Sequence, residues 1–340
     1  MRKHSLLLLV FLAPFLTFGQ YKKTPSNKGT VAFYNIENLF DTIDDKKKKD
    51  EDFTPSGRYQ WDDDKYGKKL KNMSIVISKI GDEDGPEVLG LAEVENRKVL
   101  EDLIATPLLK DKGYKIVHFE SPDFRGIDVA LLYKESFLKV TKSITYTLSD
   151  PASPRFITRD ILVVEGNVGK DKIYFLVNHW PSRRGGKEEK RALAAQQAKH
   201  IVDSLQTKNK KAKIILMGDF NDDPTDVSLT KHLGVKNTLS EAGKKDLFNT
   251  IASTFTAADR KSGTLSYKGK WNIFDQMIIT KSLMGKKGTS YVKNSSKIYK
   301  QDFLFNQSGK YKGYLHRTSG GGKFLNGYSD HLPVYIYLKY

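Results

Sequence analysis

Short apolar segments, rather than long amphipathic ones, make up much of the chain, and this feature most constrains its fold. The four consecutive apolar residues at 214–217 are typical of a short strand that is buried on both faces. Nine such strands are predicted, at residues 30–34, 86–92, 114–119, 127–133, 161–165, 173–177, 214–217, 271–279 and 334–338. So many buried strands require a further apolar layer against each face of a sheet.

Helical patterns occur between some of these strands. Apolar residues recur at helical spacing in residues 66–80, and again in residues 97–104 after Asn96, which we expect to cap that helix. A third, amphipathic helix is predicted at residues 187–205. No repeat or low-complexity linker divides the chain, so we predict one α/β domain over residues 28–340. Its expected architecture is two mixed β-sheets packed face to face with helices outside.

The residues before this domain resemble an export signal. A short basic segment precedes an apolar run at residues 6–18, and small residues then allow cleavage between Gly19 and Gln20. We therefore predict a signal peptide at residues 1–19 and a flexible polar leader at residues 20–27; an uncleaved membrane anchor is the alternative. The sequence has no Cys to carry a lipid and no later apolar run of membrane-spanning length. We expect a secreted or periplasmic protein without a stable membrane anchor.

The charge of the chain bears on its partners. There are 57 Lys and Arg against 40 Asp and Glu, which gives a formal net charge of +17. So basic a secreted protein is expected to attract polyanions such as nucleic acid, anionic lipid headgroups or acidic polysaccharide. The net charge alone does not distinguish among these three partners.

Polar side chains stand at the ends of several predicted strands. They are Asn35, Glu93, His179, Asp219 with Asn221, and Asp330 with His331. Each has an ordinary alternative as a turn or cap residue. Ligands of α/β proteins often bind at strand ends, however, and five such ends in one chain favour a shared site.

These side chains suit the hydrolysis of a phosphoester. Mg²⁺ binds carboxylate and amide oxygens while it keeps several waters, and Glu93 with Asn35 would supply such a set. His331 is a candidate base for the attacking water because histidine titrates near neutral pH. Asp275, inside a predicted strand, would orient that imidazole. The candidate donors to the charge that builds up on the phosphoryl oxygens are His179 and Asn221.

Five motifs occur in the same order as in a known superfamily. They are NIENLFD at 35–41, LAEV at 91–94, NHWPS at 178–182, GDFN at 218–221 and SDH at 329–331. This ordered set, which covers nearly the whole of the predicted mature chain, resembles the endonuclease/exonuclease/phosphatase superfamily. The first motif, together with FTPSG at 53–57 and Trp61, is most similar to its secreted bacterial nucleases.

The resemblance implies a fold, a cofactor and roles for the residues that match its motifs. It implies the four-layer αββα sandwich of deoxyribonuclease I and cleavage of phosphoesters that depends on Mg²⁺ or Mn²⁺. By similarity, Glu93 and Asn35 hold the metal ion. His331 acts as the base with Asp275 behind it, and Asp219 positions or activates the water.

Further residues match positions that contact the substrate or the metal in that superfamily. By similarity, Asn221 and His179 contact the phosphoryl group, and Asp330 braces the metal site or holds a second ion. Arg125 and Arg159 resemble residues that touch substrate phosphate. One departure concerns Ile273, which stands where abasic-site endonucleases and inositol phosphatases often have Arg.

The leading hypothesis is a monomeric, secreted, metal-dependent nuclease that hydrolyses extracellular DNA or RNA. An alternative keeps the chemistry but changes the substrate to a lipid or a small molecule, as in sphingomyelinases or inositol-phosphate phosphatases. A third hypothesis is a catalytically silent module that binds polyanions.

Overall fold

The computed structural model describes residues 27–340, apart from residues 83, 151, 155, 185–187, 244 and 255–261. The predicted signal peptide, its cleavage site and all but the last residue of the predicted leader lie outside the described residues. Among the helices of the described part, none is both long and apolar enough to span a bilayer.

Three α-helices and eighteen strands form the described part of the chain. The helices are α1 (Asp63–Ile77), α2 (Arg97–Ile104) and α3 (Glu188–Lys208). The strands are β1 (Lys28–Leu39), β2 (Val88–Val94), β3 (Tyr114–His118), β4 (Asp128–Lys134), β5 (Leu138–Tyr146), β6 (Ile161–Val168), β7 (Asp171–His179), β8 (Lys213–Asp219), β9 (Val235–Lys236), β10 (Leu247–Asn249), β11 (Leu265–Tyr267), β12 (Lys270–Asn272), β13 (Asp275–Thr280), β14 (Ser290–Tyr291), β15 (Lys297–Ile298), β16 (Ser319–Gly320), β17 (Lys323–Phe324) and β18 (Val334–Lys339).

Two seven-stranded sheets contain most of these strands. The first has the order β14-β18-β1-β2-β4-β3, with β15 also paired to β18. The second has the order β5-β6-β7-β8-β13-β10-β9. Both sheets are mixed, because β1 pairs with β2 and β7 pairs with β8 in parallel, whereas most other neighbours are antiparallel.

The core divides into three apolar clusters, which define four layers. Successive side chains of a strand point to opposite faces, and β1 follows this rule: Val31 and Phe33 face the second sheet, where they pack in a cluster with Phe175. Tyr34 faces outward and packs in a cluster with Met73 of α1. A third cluster joins α3 to the outer face of the second sheet. The predicted αββα sandwich is confirmed.

The short strands β9, β10, β11 and β14 to β17 were not predicted, and two longer elements also differ from the sequence prediction. β5 was not predicted, because it is an edge strand whose exposed face is polar and which therefore lacks an apolar run. The single strand predicted at residues 271–279 is divided into β12 and β13. At the break, the backbone N–H of Ile273 donates to Asp223 Oδ1 at 2.8 Å, and that of Phe274 donates to Thr264 Oγ1 at 3.1 Å.

The charged segment between β1 and α1 is anchored by aromatic residues. Trp61 is fully buried, and its indole N–H donates to the carbonyl oxygen of Phe40 at 3.0 Å. Phe53 stacks on Phe40 with ring centroids 4.3 Å apart. The segment is therefore tied to the end of β1, close to the predicted catalytic residues.

Candidate active site

The polar residues predicted at the strand ends meet at one end of the two sheets. In the first sheet, Asn35 and Glu93 share an end because β1 and β2 run parallel, and antiparallel β18 begins there. In the second sheet, parallel β7 and β8 finish side by side at His179 and Asp219. Antiparallel β13 begins at Asp275, directly opposite Asp219.

Asn35 connects the two sheets at this end. Its Nδ2 donates to Asp219 Oδ2 at 3.1 Å and lies 3.4 Å from Glu93 Oε1. The backbone N–H of Glu37 donates to Asn35 Oδ1 at 3.1 Å, which fixes the orientation of the amide. Asn35 thus presents its N–H groups, rather than its oxygen, to the two carboxylates. Its predicted role as a metal ligand stays a prediction, and this orientation favours a role in holding the carboxylates.

The backbone around the site adopts uncommon conformations. Of the eight non-glycine residues with positive φ in the described part, four lie here: Glu37, Asn38, Glu93 and Asn221. Such residues cost free energy and are found most often at functional sites. Their geometry aims donors at the site carboxylates: Asn38 N donates to Glu93 Oε2 at 3.1 Å, and Asn221 N donates to Asp219 Oδ1 at 2.9 Å.

Gly218 allows β7 and β8 to approach closely next to Asp219. A Cβ atom at position 218 would lie 2.4 Å from the carbonyl oxygen of Asn178, a distance that side chains do not tolerate. The Gly of the GDFN motif is therefore required so that His179 and Asp219 can finish side by side.

His331 and Asp275 form a buried pair. His331 Nδ1 lies 2.8 Å from Asp275 Oδ2, so Nε2 of the ring is left facing Asp219 Oδ2, 3.8 Å away. Burial lowers the pKa of His331, but the carboxylates of Asp275 and Asp219 outweigh this and hold the pKa well above its ordinary value. Burial raises the pKa of Asp219. At 3.8 Å, His331 Nε2 and Asp219 Oδ2 are too far apart for a direct hydrogen bond, so a proton can pass between them only through a bridging water.

His179 lies between Asp219 and the predicted metal ligand Glu93. Its Nε2 lies 3.6 Å from Asp219 Oδ2 and 3.9 Å from Glu93 Oε1. Burial, with the positive charges of Arg159 and Arg125, lowers the pKa of His179 well below its ordinary value. The ring is therefore neutral, and it can donate one hydrogen bond to a phosphoryl oxygen, as predicted for it.

Asp330 is paired with an arginine that the sequence did not single out. Arg317 Nη2 donates to Asp330 Oδ2 at 2.9 Å, while Nε of the same guanidinium donates to buried Glu37 at 2.9 Å. Arg317 therefore ties Asp330 to β1. This pairing suits the predicted bracing of the metal site better than the holding of a separate second ion, because one carboxylate oxygen is already occupied.

The two predicted phosphate-binding arginines share one carboxylate, Asp123. Arg159 is buried; it donates to Asp123 Oδ2 at 3.1 Å and to the carbonyl oxygen of Trp180 at 2.6 Å. Arg125 lies 3.3 Å from Asp123 Oδ1, and its side chain is 43% exposed. Arg125 is thus free to contact a substrate, whereas Arg159 mainly supports the wall beside His179. Asp123 was missed, although its position two residues before Arg125 is a weak signal.

An open cleft of about 670 Å³ lies over these residues. All the predicted site residues line it except Asn35 and Asp275, which lie beneath. The cleft also contains residues that were not predicted, among them Arg183, Arg184, Tyr267, Lys270, Phe274 and Arg317. They come from the loop after β7, the hairpin of β11 and β12, the break between β12 and β13, and the segment before β18.

The donor set at the floor of the cleft fits a hard divalent cation. The side chain of Glu93 is 18% exposed toward the cleft, with Asp219 and Asp330 beside it. Mg²⁺ needs only one or two carboxylates when it keeps several waters, and Mn²⁺ prefers the same oxygen ligands. Asp219, Asp275 and His331 also have ligand atoms within 4.8 Å of one another. Because Nδ1 of that histidine is occupied by Asp275, this group suits proton transfer better than coordination.

The Asp275–His331 pair predicts a pH effect. In Asp275→Asn, kcat should fall on the order of 10²–10⁴-fold, the range for a disturbed general base. The acid limb of the pH–rate profile should move to lower pH, because the lost negative charge had raised the pKa of His331. Profiles of kcat against pH for this variant and for the exposed control Asp302→Asn test both points. An acid limb that stays in place or moves upward would contradict the assignment.

Comparisons with known proteins agree with this geometry. The model of the Endonuclease/Exonuclease/phosphatase family matches residues 30–340. No curated protein matches the chain in sequence. Solved structures of similar fold include an endonuclease/exonuclease/phosphatase family protein from Bacteroides thetaiotaomicron, which is 15% identical, covers 92% of this chain and 97% of its own, and has a TM-score of 0.56.

Two other solved structures carry more specific names. TDP2 of D. rerio, complexed with a single strand DNA product, is 12% identical over 92% of this chain and 99% of its own, with a TM-score of 0.54. The mannosyl-6-phosphatase Bt3783 of Bacteroides thetaiotaomicron VPI-5482 is 16% identical over 92% of this chain and 99% of its own, with a TM-score of 0.55. At these identities the likeness concerns the fold. The family match over residues 30–340 and the site geometry show that the chain belongs to the endonuclease/exonuclease/phosphatase family of metal-dependent phosphoesterases.

Proposed function

We propose that this protein is a nuclease that hydrolyses phosphodiester bonds of DNA or RNA. The observation that carries the proposal is the cationic wall of the cleft, where Arg125, Arg184, Lys270 and Arg317 surround the reaction centre. Tyr267, 65% exposed at the cleft, offers a surface on which a base can stack. A cleft of this kind suits a long polyanion better than a single small phosphate ester.

The proposal also covers where the protein acts, its monomeric state and the class of its substrate. The net charge of +17 favours a polyanionic substrate. The basic segment and apolar run at the N-terminus support export to the periplasm or the medium, where the protein would act as a monomer on extracellular nucleic acid. Its similarity to TDP2, a structure that holds single strand DNA product, supports the same class of substrate, whereas its similarity to a sugar phosphatase supports the alternative.

Proton transfer in this proposal runs through His331. Its Nδ1 is bonded to Asp275, so Nε2 is the atom at which the ring, once deprotonated, accepts the proton of the attacking water. Asp219 accepts a hydrogen bond from that water and orients it toward phosphorus. Because Asn35 and Asn221 N–H groups hold the Asp219 carboxylate, this residue is fixed before substrate binds.

Charge on the phosphoryl oxygens is met by neutral and cationic donors. His179 donates from a neutral ring, and Asn221, whose Nδ2 is bonded to the carbonyl oxygen of Trp180 at 3.0 Å, lines the same wall. Arg125 provides a positive charge at the cleft. A divalent ion held at Glu93 would act as a Lewis acid on the phosphoryl oxygen.

A substrate panel with and without chelator tests the proposal. It should contain supercoiled plasmid, RNA, a chromogenic phosphodiester, sphingomyelin and a sugar phosphate monoester. We expect the highest chelator-sensitive kcat/KM for plasmid or RNA. Faster turnover of sphingomyelin or of the sugar phosphate would overturn the nuclease proposal while leaving the family assignment intact.

Salt dependence gives a second test of the same proposal. The logarithm of kcat/KM on DNA should fall linearly with the logarithm of salt concentration, because each phosphate contact releases counterions. In Lys270→Gln, the slope should become shallower by about one for the lost phosphate contact. The matched control is Lys210→Gln, an exposed position before the start of β8, at the end of the strand opposite Asp219. Equal slopes for Lys270→Gln and the wild type would show that Lys270 does not contact a phosphate of the substrate.

A further inference from the structure

A second, smaller pocket of about 180 Å³ lies beside the active-site cleft, and carboxylates dominate its lining. The acidic residues that line it are Asp41, Asp45, Asp50, Glu95 and Glu120. They come from the segment after β1, from the residue after β2, and from the loop between β3 and β4. Five carboxylates around so small a volume repel one another strongly unless a cation lies among them.

Backbone and side-chain donors hold these carboxylates in place. The N–H of Asp41 donates to Glu95 Oε2 at 2.6 Å, and Asn96 Nδ2 donates to Asp41 Oδ2 at 3.1 Å. The N–H of Asp45 donates to Asp50 Oδ2 at 2.9 Å. The arrangement is therefore built into the fold rather than formed by freely moving surface side chains.

The buried side chain of Asp50 is a second, independent observation that indicates a ligand in this pocket. Its residue surface is 2% exposed, and its Oδ1 has no hydrogen-bond partner among the residues that the structure describes. A buried carboxylate oxygen without a partner is costly. Asp50 lines the acidic pocket, where a cation would satisfy this oxygen.

Lys48 supplies only one positive charge to these five acidic groups. It is the only cationic side chain among the described residues that line the pocket. Its ammonium group donates to the carbonyl oxygens of Ser121 at 2.9 Å and Asp123 at 3.1 Å. Lys48 thus fastens the segment after β1 to the loop between β3 and β4, and its single charge offsets only part of the negative charge of the pocket.

We propose that this pocket is a Ca²⁺ site, separate from the catalytic metal site at Glu93. Ca²⁺ takes six to eight oxygen ligands at about 2.3–2.6 Å in flexible geometry, and all the acidic donors here are oxygens. No imidazole or thiolate lines the pocket within the described part of the chain, which disfavours the softer transition metals. No three of these five carboxylates have ligand atoms within 4.8 Å of one another without the ion, so binding would draw them together and should further stabilise the segment at residues 41–50.

The position of the pocket links this ion to the active site. Glu95 follows Glu93 by two residues at the end of β2. The loop between β3 and β4 contains Glu120 and accepts hydrogen bonds from Lys48. The same loop contains Asp123, which holds both Arg125 and Arg159. A Ca²⁺ ion in the pocket would therefore stiffen the wall that carries these two arginines. The proposal does not depend on whether the substrate is nucleic acid.

The test uses the full chain with Glu93→Gln as background, so that binding at the catalytic site is weakened. Calorimetric titration with CaCl₂ should show one site in this variant, and thermal unfolding should shift upward by several degrees when Ca²⁺ is added. Adding Asp50→Asn should weaken Ca²⁺ binding by at least about tenfold and remove most of the thermal shift, since ligand charge tunes affinity. Exposed Glu120→Gln, which leaves the buried residues intact, should weaken binding by a smaller factor.

Two control variants distinguish this pocket from general surface charge and from a neighbouring acidic group. Glu101→Gln, an exposed position on α2, should leave Ca²⁺ affinity unchanged. His118, Glu120 and Asp128, unlike the carboxylates of the pocket, have ligand atoms within 4.8 Å of one another. Loss of binding in His118→Ala but not in Asp50→Asn would place the ion there and overturn the proposal. Absence of Ca²⁺ binding in the Glu93→Gln background would overturn it too.

Discussion

Replacing His331 by Ala should lower kcat by about 10²–10⁴-fold, the contribution typical of a positioned general base. The reason is geometric: Nε2 of His331 is the ring nitrogen that is free to take a proton, because Asp275 holds Nδ1 at 2.8 Å. Asp219→Asn should have an effect of similar size. The neutral amide is a weaker hydrogen-bond acceptor than the carboxylate and orients the attacking water less well. Binding of a non-hydrolysable oligonucleotide should survive in both variants.

The measurement is steady-state kinetics with Mg²⁺ on the substrate that the panel identifies, together with binding by fluorescence anisotropy. His200→Ala and Asp203→Asn are the matched controls, because both residues are exposed on α3. Near-wild-type kcat in either active-site variant would contradict the assigned roles. A loss of binding equal to the loss of kcat would indicate that the residue acts on substrate affinity instead.

His331 and Asp219 should also behave as a unit. His331 Nε2 and Asp219 Oδ2 lie 3.8 Å apart. Burial raises the pKa of Asp219, whereas the carboxylates of Asp275 and Asp219 raise the pKa of His331 against the opposing effect of burial. Removing either residue already interrupts the proton transfer in which both take part. The kcat of the double variant should therefore be little lower than that of the slower single variant. An additive loss would show that the two residues act in separate steps.

The pattern of short apolar segments was enough to predict the two sheets and the strand ends at which the site lies. Asp219 and Glu93 could be located because each follows an apolar run directly, and strand direction then brings them together. Their individual roles came from the resemblance of the motifs, not from strand periodicity. The structure added the hydrogen bonds that distinguish these roles, such as the orientation of Asn35.

The contacts of Arg317 could not be predicted from the sequence. It contacts Glu37, 280 residues earlier in the chain, and Asp330, in a segment with no regular pattern of apolar residues. Such a pair forms only when β1 and the residues before β18 pack together, so local sequence contains no signal for it. The acidic pocket around Asp50 is similar, because its carboxylates come from three separate segments and looked like ordinary surface charge.

Replacing Glu93 by Gln should abolish most metal-dependent activity. Glu93 is the acidic residue of β2 that faces the cleft, and its Oε2 is held by the N–H of Asn38 at 3.1 Å. An amide of the same size keeps the packing but removes the negative charge that a divalent cation needs. A catalytic metal contributes several kcal/mol, and each 1.36 kcal/mol is a factor of ten, so a loss of roughly 10³-fold in kcat/KM at fixed Mg²⁺ is expected.

Metal titration distinguishes this effect from a loss of structure. If Glu93 binds the ion, the Mg²⁺ concentration that gives half-maximal activity should rise steeply in Glu93→Gln, and high Mg²⁺ or Mn²⁺ should restore part of the rate by mass action. Exposed Glu135→Gln should titrate like the wild type. An unchanged Mg²⁺ dependence with a low rate would mean that Glu93 acts through its contacts to Asn35 and His179 rather than through the ion. The metal would then have to be held by Asp219 and Asp330, the other carboxylates at the floor of the cleft.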